Sequence, residues 1–344
     1  MSIRIGIICP SEIAFRRFLP SLQKVSEFSF AGVAIASPEE WAVEAKATEN
    51  IHAILDKERK KAQIFIDNYG GRIYEGYQTM ISSPEIDAVY LPLPPALHFK
   101  WAKQALESGK HAYVEKPFTT CLEDTQLLLD IARQKKLAVH ENYMFIYHRQ
   151  LQAVQDLIKQ GEIGKVRLYR VSFGFPRRSV GDFRYNKALG GGALLDAGGY
   201  CMKYASWLLG DTARLVCANA YHEKNFEVDI FGSCTMVNDE GTIVQVSFGM
   251  DCDYKCELEA WGSTGTLTTG RILTAPDGFE PEMIIKHNQE YVTMKLPADF
   301  SFVKSIHRFY CCFTDDAVRE ENYQIIERQS SFVSDYKKLS NDGK

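Results

Sequence analysis

Short runs of apolar residues alternate with longer amphipathic stretches through the first 146 positions. Ile3–Ile8, Phe30–Ala36, Ile86–Leu91, His111–Val114 and Leu137–His140 are each too short for a helix and read as buried strands. Between them, Ile13–Lys24, Glu39 to about Tyr69, His98–Ser108 and Leu122–Lys135 carry helical spacing, and glycines close two of them at Gly70-Gly71 and Gly109. Strands alternating with helices predict a doubly wound parallel α/β sheet, a Rossmann fold. After one more helix, Leu151–Lys159, the period drops to two. Lys165–Phe175, Arg214–His222, Asp229–Val237, Thr242–Phe248, Lys255–Trp261, Glu282–His287 and Glu290–Met294 alternate apolar and polar residues. A helix near Gly192–Leu209 interrupts them, and the last forty residues are helical again. This predicts an α+β domain with a large, mainly antiparallel, open-faced sheet. The expected boundary divides residues 1–146 from 147–344, with the C-terminal helix free to pack back on the first domain.

Composition narrows the function classes. In 344 residues, 40 Lys+Arg face 44 Asp+Glu, so no basic block exists to neutralise nucleic-acid phosphates. No apolar run approaches the roughly 20 residues of a membrane span. The nine cysteines are odd in number and include no CxxC pair. They read as reduced, buried thiols, with Cys252 and Cys256 on one side of a strand; no metal site is expected, and a cytoplasmic location follows.

Three stretches could carry chemistry. The first strand runs into Cys9-Pro10-Ser11-Glu12-Ile13-Ala14, where a dinucleotide fold places its glycine-rich phosphate turn. Both leading glycines are replaced, by Cys9 and Ser11. These residues are still small, Pro10 presets the backbone, and Ser11 can cap the helix or meet a phosphate. Next, Glu115-Lys116-Pro117 ends the fourth expected strand, and ligands in open α/β sheets bind at such ends. A lysine there can donate a proton to a carbonyl oxygen. Finally, Gly190-Gly191-Gly192 opens a helix carrying Asp196 and Tyr200, spaced i, i+4 and so expected on one face, where the carboxylate can orient the phenol.

In this order and spacing, the three stretches resemble the glucose–fructose oxidoreductase, inositol dehydrogenase and rhizopine-catabolism family. Ile86–Tyr90, Leu93-Pro94, His98, Gly109-Lys110-His111 through Pro117, and Glu141–Phe145 carry the likeness. The second half looks most similar to ketoreductases of nucleotide-linked deoxysugars, through Phe183-Arg184-Tyr185, Gly190–Tyr200, Ser247–Asp251, Trp261–Leu267 and Arg271–Pro276. The resemblance implies hydride transfer between NAD or NADP and a sugar, with a 3-keto nucleotide sugar as substrate. Lys116 and Tyr200 would flank its carbonyl, with Asp196 beside Tyr200. Cofactor contacts would come from Cys9, Pro10, Ser11, Glu12, Ile13, Ser37, Leu93, His98, Glu115, Lys116 and Asn142. A homodimer or homotetramer formed through the open sheet is implied as well. Three departures stand out: the missing glycines, Pro95 where the family often has Asn, and Ser37-Pro38 ending the second strand with no acidic residue there. The last leaves NAD and NADP both open. An extra helix is expected from about Val43 to Lys60. The same fold also serves catabolic sugar or inositol dehydrogenases and non-catalytic sugar sensors; retained Lys116, Asp196 and Tyr200 favour an enzyme.

Overall fold

The computed structural model describes residues 2–40, 51–179 and 181–341. The chain forms two compact units. The first comprises residues 1–119, 123–142 and 302–327; the second comprises 120–122, 143–301 and 328–344.

The first unit is built on a parallel sheet of β1 (Ile3–Ile8), β2 (Phe28–Ile35), β3 (Arg72–Glu75), β4 (Ala88–Leu91), β5 (His111–Val114) and β6 (Val139–Glu141). The strand order is β3-β2-β1-β4-β5-β6. The order reverses between β1 and β4, which opens a crevice at the carboxyl ends of those strands. Two elements were not expected from the sequence, the edge strand β3 and the short helix after it, Tyr77–Ser82. Gly70 (φ 75°) and Gly71 (φ 79°) end the helix Ile51–Tyr69 and turn the chain back into that strand. Of the helix expected from Val43 to Lys60, the part from Ile51 on is present, and positions 43–50 lie outside the described residues. The helix α8 (Ser301–Thr314) also belongs to this unit. Phe309 stacks on Phe28 at 5.8 Å, and Tyr323, further along, donates to the Leu137 carbonyl.

The second unit holds eight strands: β7 (Val166–Gly174), β8 (Arg214–His222), β9 (Asp229–Val237), β10 (Ile243–Gly249), β11 (Lys255–Gly262), β12 (Thr266–Gly270), β13 (Glu282–His287) and β14 (Glu290–Lys295). Their order is β14-β13-β12-β11-β7-β10-β9-β8, antiparallel except where β7 pairs with β10. The five-residue β12 went unpredicted. One face is apolar and packs on α7 (Gly199–Leu209) through residues such as Val171, Phe173, Val246 and Phe248. The other face carries alternating polar and isolated apolar residues. Nine cysteines are free. Cys217 is exposed and Cys9, Cys121, Cys252 and Cys311 are half-buried, so the all-buried expectation holds only for the remaining four. Cys252 lies outside β11 and does not share a strand with Cys256.

Candidate active site

The crevice of the first unit gathers most of the residues singled out from sequence. β1 ends at Ile8, and Cys9 follows with φ of 84°, a left-handed conformation that a glycine adopts without cost. Cys9 therefore occupies the backbone state of the first turn glycine while carrying a side chain. Pro10 is buried, and the Ser11 Oγ accepts the Ala14 amide at 3.2 Å, capping the helix start. Ile13 is half-buried, and the exposed Glu12 pairs with Arg16 at 2.7 Å. A turn of this shape, small and opening a helix at the switch point, fits a dinucleotide pyrophosphate. Replacing Cys9 by glycine should relieve the left-handed strain and stabilise the unit by about 1 kcal/mol. A higher denaturant midpoint at unchanged slope checks this; a lower midpoint would mean that thiol packing outweighs the strain.

At the end of β2 the expectation of no acidic group is corrected. Glu40 folds back so that its carboxylate accepts the amides of Ser37 (2.8 Å), Tyr77 (2.8 Å) and Gln78 (2.9 Å). Glu39 accepts the Ser37 hydroxyl at 2.8 Å, and this bond holds the exposed Glu39 carboxyl below its ordinary value. Pro38 had concealed that the chain doubles back here. A carboxylate at this place suits a ribose diol and repels a 2′-phosphate. Glu39→Gln should therefore move the kcat/KM ratio toward NADPH over NADH by about three- to tenfold at low salt. An unchanged ratio would remove Glu39 from cofactor choice.

The ends of β4 and β5 lie side by side, since Leu91 pairs with Val114. They present Leu93, which is buried, and Lys116, which is half-buried. Behind these residues is a network of buried polar groups. The Glu115 carboxylate accepts from the Tyr90 hydroxyl and from Asn142 Nδ2, both at 2.7 Å. Asn142 Oδ1 accepts from Tyr113 (2.7 Å) and from Ser305 on α8 (3.0 Å). Ser305 also lies 2.9 Å from His140 Nε2. Burial dominates and raises the Glu115 carboxyl above the usual range, against the opposing bonds from Asn142 and Tyr90 and the nearby charge of Lys116. His98 is completely buried. Its ring nitrogens sit 2.8 Å from the Pro117 and Leu93 carbonyls, so it ties together the two loops that carry the crevice. Burial lowers its pKa to about 4. Glu115, Asn142 and His98 thus form the scaffold beneath Leu93 and Lys116.

The second unit positions Tyr200 and Asp196. The stretch Leu194–Gly198 is a π-helix that runs into α7. The wider turn at Leu194–Gly198 still leaves residues spaced i, i+4, such as Asp196 and Tyr200, on roughly one face of the helix. The Asp196 carboxylate accepts from Arg184 Nε at 2.6 Å, and Arg184 also pairs with Asp182 at 3.2 Å. Burial opposes the charge on Arg184, yet the two carboxylates hold its pKa above the ordinary arginine value. Tyr200 is buried, 9% exposed, against Tyr143 (5.0 Å), Phe173 (5.4 Å) and Phe145 (5.6 Å). The glycines around it serve packing inside this unit. A Cβ on Gly192 would collide with Asp229 Oδ1, and one on Gly199 would collide with the Tyr143 hydroxyl. Asp229 accepts the Leu194 amide at 2.7 Å and so caps the helix that presents Tyr200. Arg184 and Asp229 were missed as functional supports, because neither ion pair nor cap follows any local spacing. Among the described residues no group of His, Cys, Asp and Glu could hold a metal ion, and no helix is long and apolar enough to cross a membrane.

Comparison with known proteins agrees with this layout. Residues 27–143 match the model of an oxidoreductase family with an NAD-binding Rossmann fold, and residues 151–268 match the GFO/IDH/MocA C-terminal domain. A dTDP-3,4-didehydro-2,6-dideoxy-alpha-D-glucose 3-reductase from Actinomadura kijaniata is 35% identical over 307 residues, 89% of this chain and 86% of that one. The protein of that name from Streptomyces violaceoruber is 39% identical over 86% of this chain and 81% of its own. The crystal structure of a 3-ketoreductase from Actinomadura kijaniata with NADP and TDP-benzene superposes with a TM-score of 0.88 at 32% identity, covering 98% of both chains. With its dinucleotide crevice, its glutamate–lysine–proline strand end and a likeness running nearly the full length, the chain belongs to the GFO/IDH/MocA family of NAD(P)-dependent sugar oxidoreductases.

Proposed function

We propose that the protein reduces the 3-keto group of a deoxyhexose carried on thymidine diphosphate. The observation that carries this reading is the likeness to 3-ketoreductases over nearly the whole chain, with Lys116 at the carboxyl end of β5. The bound nicotinamide supplies the hydride. The residues from Cys9 to Ile13, with Ser37 and Leu93, are its contacts, while Glu115, Asn142 and His98 hold the loops that carry them. Lys116 stabilises the alkoxide left by hydride addition and delivers a proton to it. Tyr200 hydrogen-bonds the same oxygen as a second donor. Arg184 holds the Asp196 side chain in place at the start of the helix that bears Tyr200. One further observation supports this pairing: solved variants of the Actinomadura kijaniata enzyme alter a tyrosine and a lysine with the same separation along the chain as Lys116 and Tyr200. Consumption of NADPH and of NADH with a panel of keto sugars, free and linked to thymidine diphosphate, tests the reading. Turnover confined to free sugars would favour a catabolic dehydrogenase, and binding without turnover would favour a sensor.

Self-association through the open sheet belongs to the same proposal. Its outer face carries Phe231, Ile243, Trp261, Ile284 and Tyr291, which are 37–63% exposed. Sedimentation at micromolar concentration should give a species heavier than the 39.0 kDa chain. Trp261→Lys should shift it toward the monomer, and a clean monomer for the unaltered protein would remove this part.

A further inference from the structure

The end of the second unit's sheet beyond Gly174 carries charge that the hydride chemistry does not use. Two of the arginines laid on aromatic rings there have no carboxylate partner among the described residues. The Arg178 guanidinium lies 5.1 Å from the centre of the Phe175 ring, and that of Arg271 lies 4.7 Å from the centre of Tyr254. Both arginines are exposed. Their neighbour Arg177 differs, because its guanidinium is held by Glu223 and Asp251, each at 2.6 Å. Arg271 is one of few non-glycine residues with a left-handed backbone, φ 52°, a conformation that concentrates at functional positions.

The two rings lie at the same end of the sheet. Gly174 pairs with Lys255 at the end of the β7–β11 register, and Phe175 and Tyr254 are the residues just beyond that pair. Tyr254 continues the alternation of buried Cys256 and Leu258, which places it on the helix-bearing face with Phe173 and Phe175. From the Tyr200 ring a path of aromatic contacts leads there, to Phe173 at 5.4 Å and on to Phe175 at 5.9 Å. A sugar carbonyl at Tyr200 would thus have apolar ring surface beside the hexose and two guanidinium groups beyond it. A guanidinium stacked on a ring keeps its N–H edge free, and that edge matches two phosphate oxygens at once. Two such groups suit the two adjoining phosphates of a nucleoside diphosphate.

We propose that Arg178 and Arg271, held on Phe175 and Tyr254, clamp the diphosphate of the nucleotide-linked sugar whose carbonyl is reduced at Tyr200. This rests on the nucleotide-sugar reading above and adds the residues that would select for it. The test titrates thymidine diphosphate, and separately thymidine, into the full-length protein saturated with NADP. Arg178→Gln and Arg271→Gln should each weaken thymidine diphosphate by about tenfold or more, the loss expected for a charge-assisted bond to phosphate. Thymidine binding and the melting temperature should stay unchanged, and Arg177→Gln should leave both ligands as they were. If the unaltered protein binds thymidine diphosphate and both variants bind it within about threefold, or if Arg177→Gln weakens it equally, the clamp is wrong while the nucleotide-sugar reading stands. If the unaltered protein binds no thymidine diphosphate but turns over free keto sugars, the underlying reading falls and takes the clamp with it.

Discussion

Lys116→Met should lower turnover by about 10²–10⁴-fold while NADP still binds and the protein melts at its usual temperature. Methionine keeps the length and bulk of the side chain and removes its charge and its proton. Hydride addition to a ketone makes an alkoxide, and without a cation beside it the developing charge has only neutral donors to meet it. The loss should fall on kcat and on kcat/KM alike, since the missing interaction forms as charge develops. Tyr200→Phe measures the remaining share. If tyrosine is the secondary donor its loss is smaller than that of Lys116→Met, and if the order is reversed the two roles are exchanged. Full turnover in Lys116→Met would make the glutamate–lysine–proline motif a mark of descent alone.

The second large effect is on stability and comes from the carboxylate next door. Glu115→Leu removes the oxygen to which Tyr90 and Asn142 both donate, in a place sealed from water. Leaving buried donors without that acceptor should cost about 2–5 kcal/mol, readable as a lower urea midpoint. Glu115→Gln keeps an acceptor and isolates the charge. Burial raises the folded-state pKa of Glu115 above its ordinary value of 4.5. Below 4.5 the carboxyl is protonated folded or unfolded and the variant gains nothing. As pH climbs from there through the folded-state value, the unfolded chain ionises first and the wild type loses stability. The melting temperature of Glu115→Gln should therefore improve relative to wild type as pH rises through that window and then level off. An advantage that shrinks with rising pH would mean that the hydrogen bonds and Lys116 outweigh burial.

How much of this was legible follows from the range of each interaction. The strands that lead into Cys9 and Lys116 are short, largely apolar runs whose meaning is local, so their ends, and the residues placed just beyond them, could be read directly. β3 could not, because four residues with one buried side chain do not outweigh the helix before them. The acidic cluster at Ser37 was hidden by a proline that looked like an exit from the strand. The π-turn at Leu194–Gly198 has no composition of its own, so nothing in the sequence separated it from the α-helix that follows. Arg184 with Asp196, and Asp229 with Leu194, are set by the closing of loops over 12 and 35 residues. The likeness to a known family reached the chemistry sooner than the residues alone could, while the buried hydrogen bonds that His98, Glu115 and Asn142 make lie beyond any local pattern.

The assignment of α8 to the first unit bears on how the chain comes to be folded during synthesis. Ser305 completes the polar network around Asn142, and Phe309 covers Phe28, yet both are made after the whole second sheet. While the ribosome is still producing residues 143–301, the nascent Rossmann sheet has one aromatic flank open to water and an unfinished hydrogen-bond network. The first unit therefore matures last although it is translated first, and a gene fragment ending near residue 146 would encode a sheet lacking its own cover. Fragment expression should recover solubility only when residues 302–327 are supplied as well, joined through a linker or added as a separate peptide.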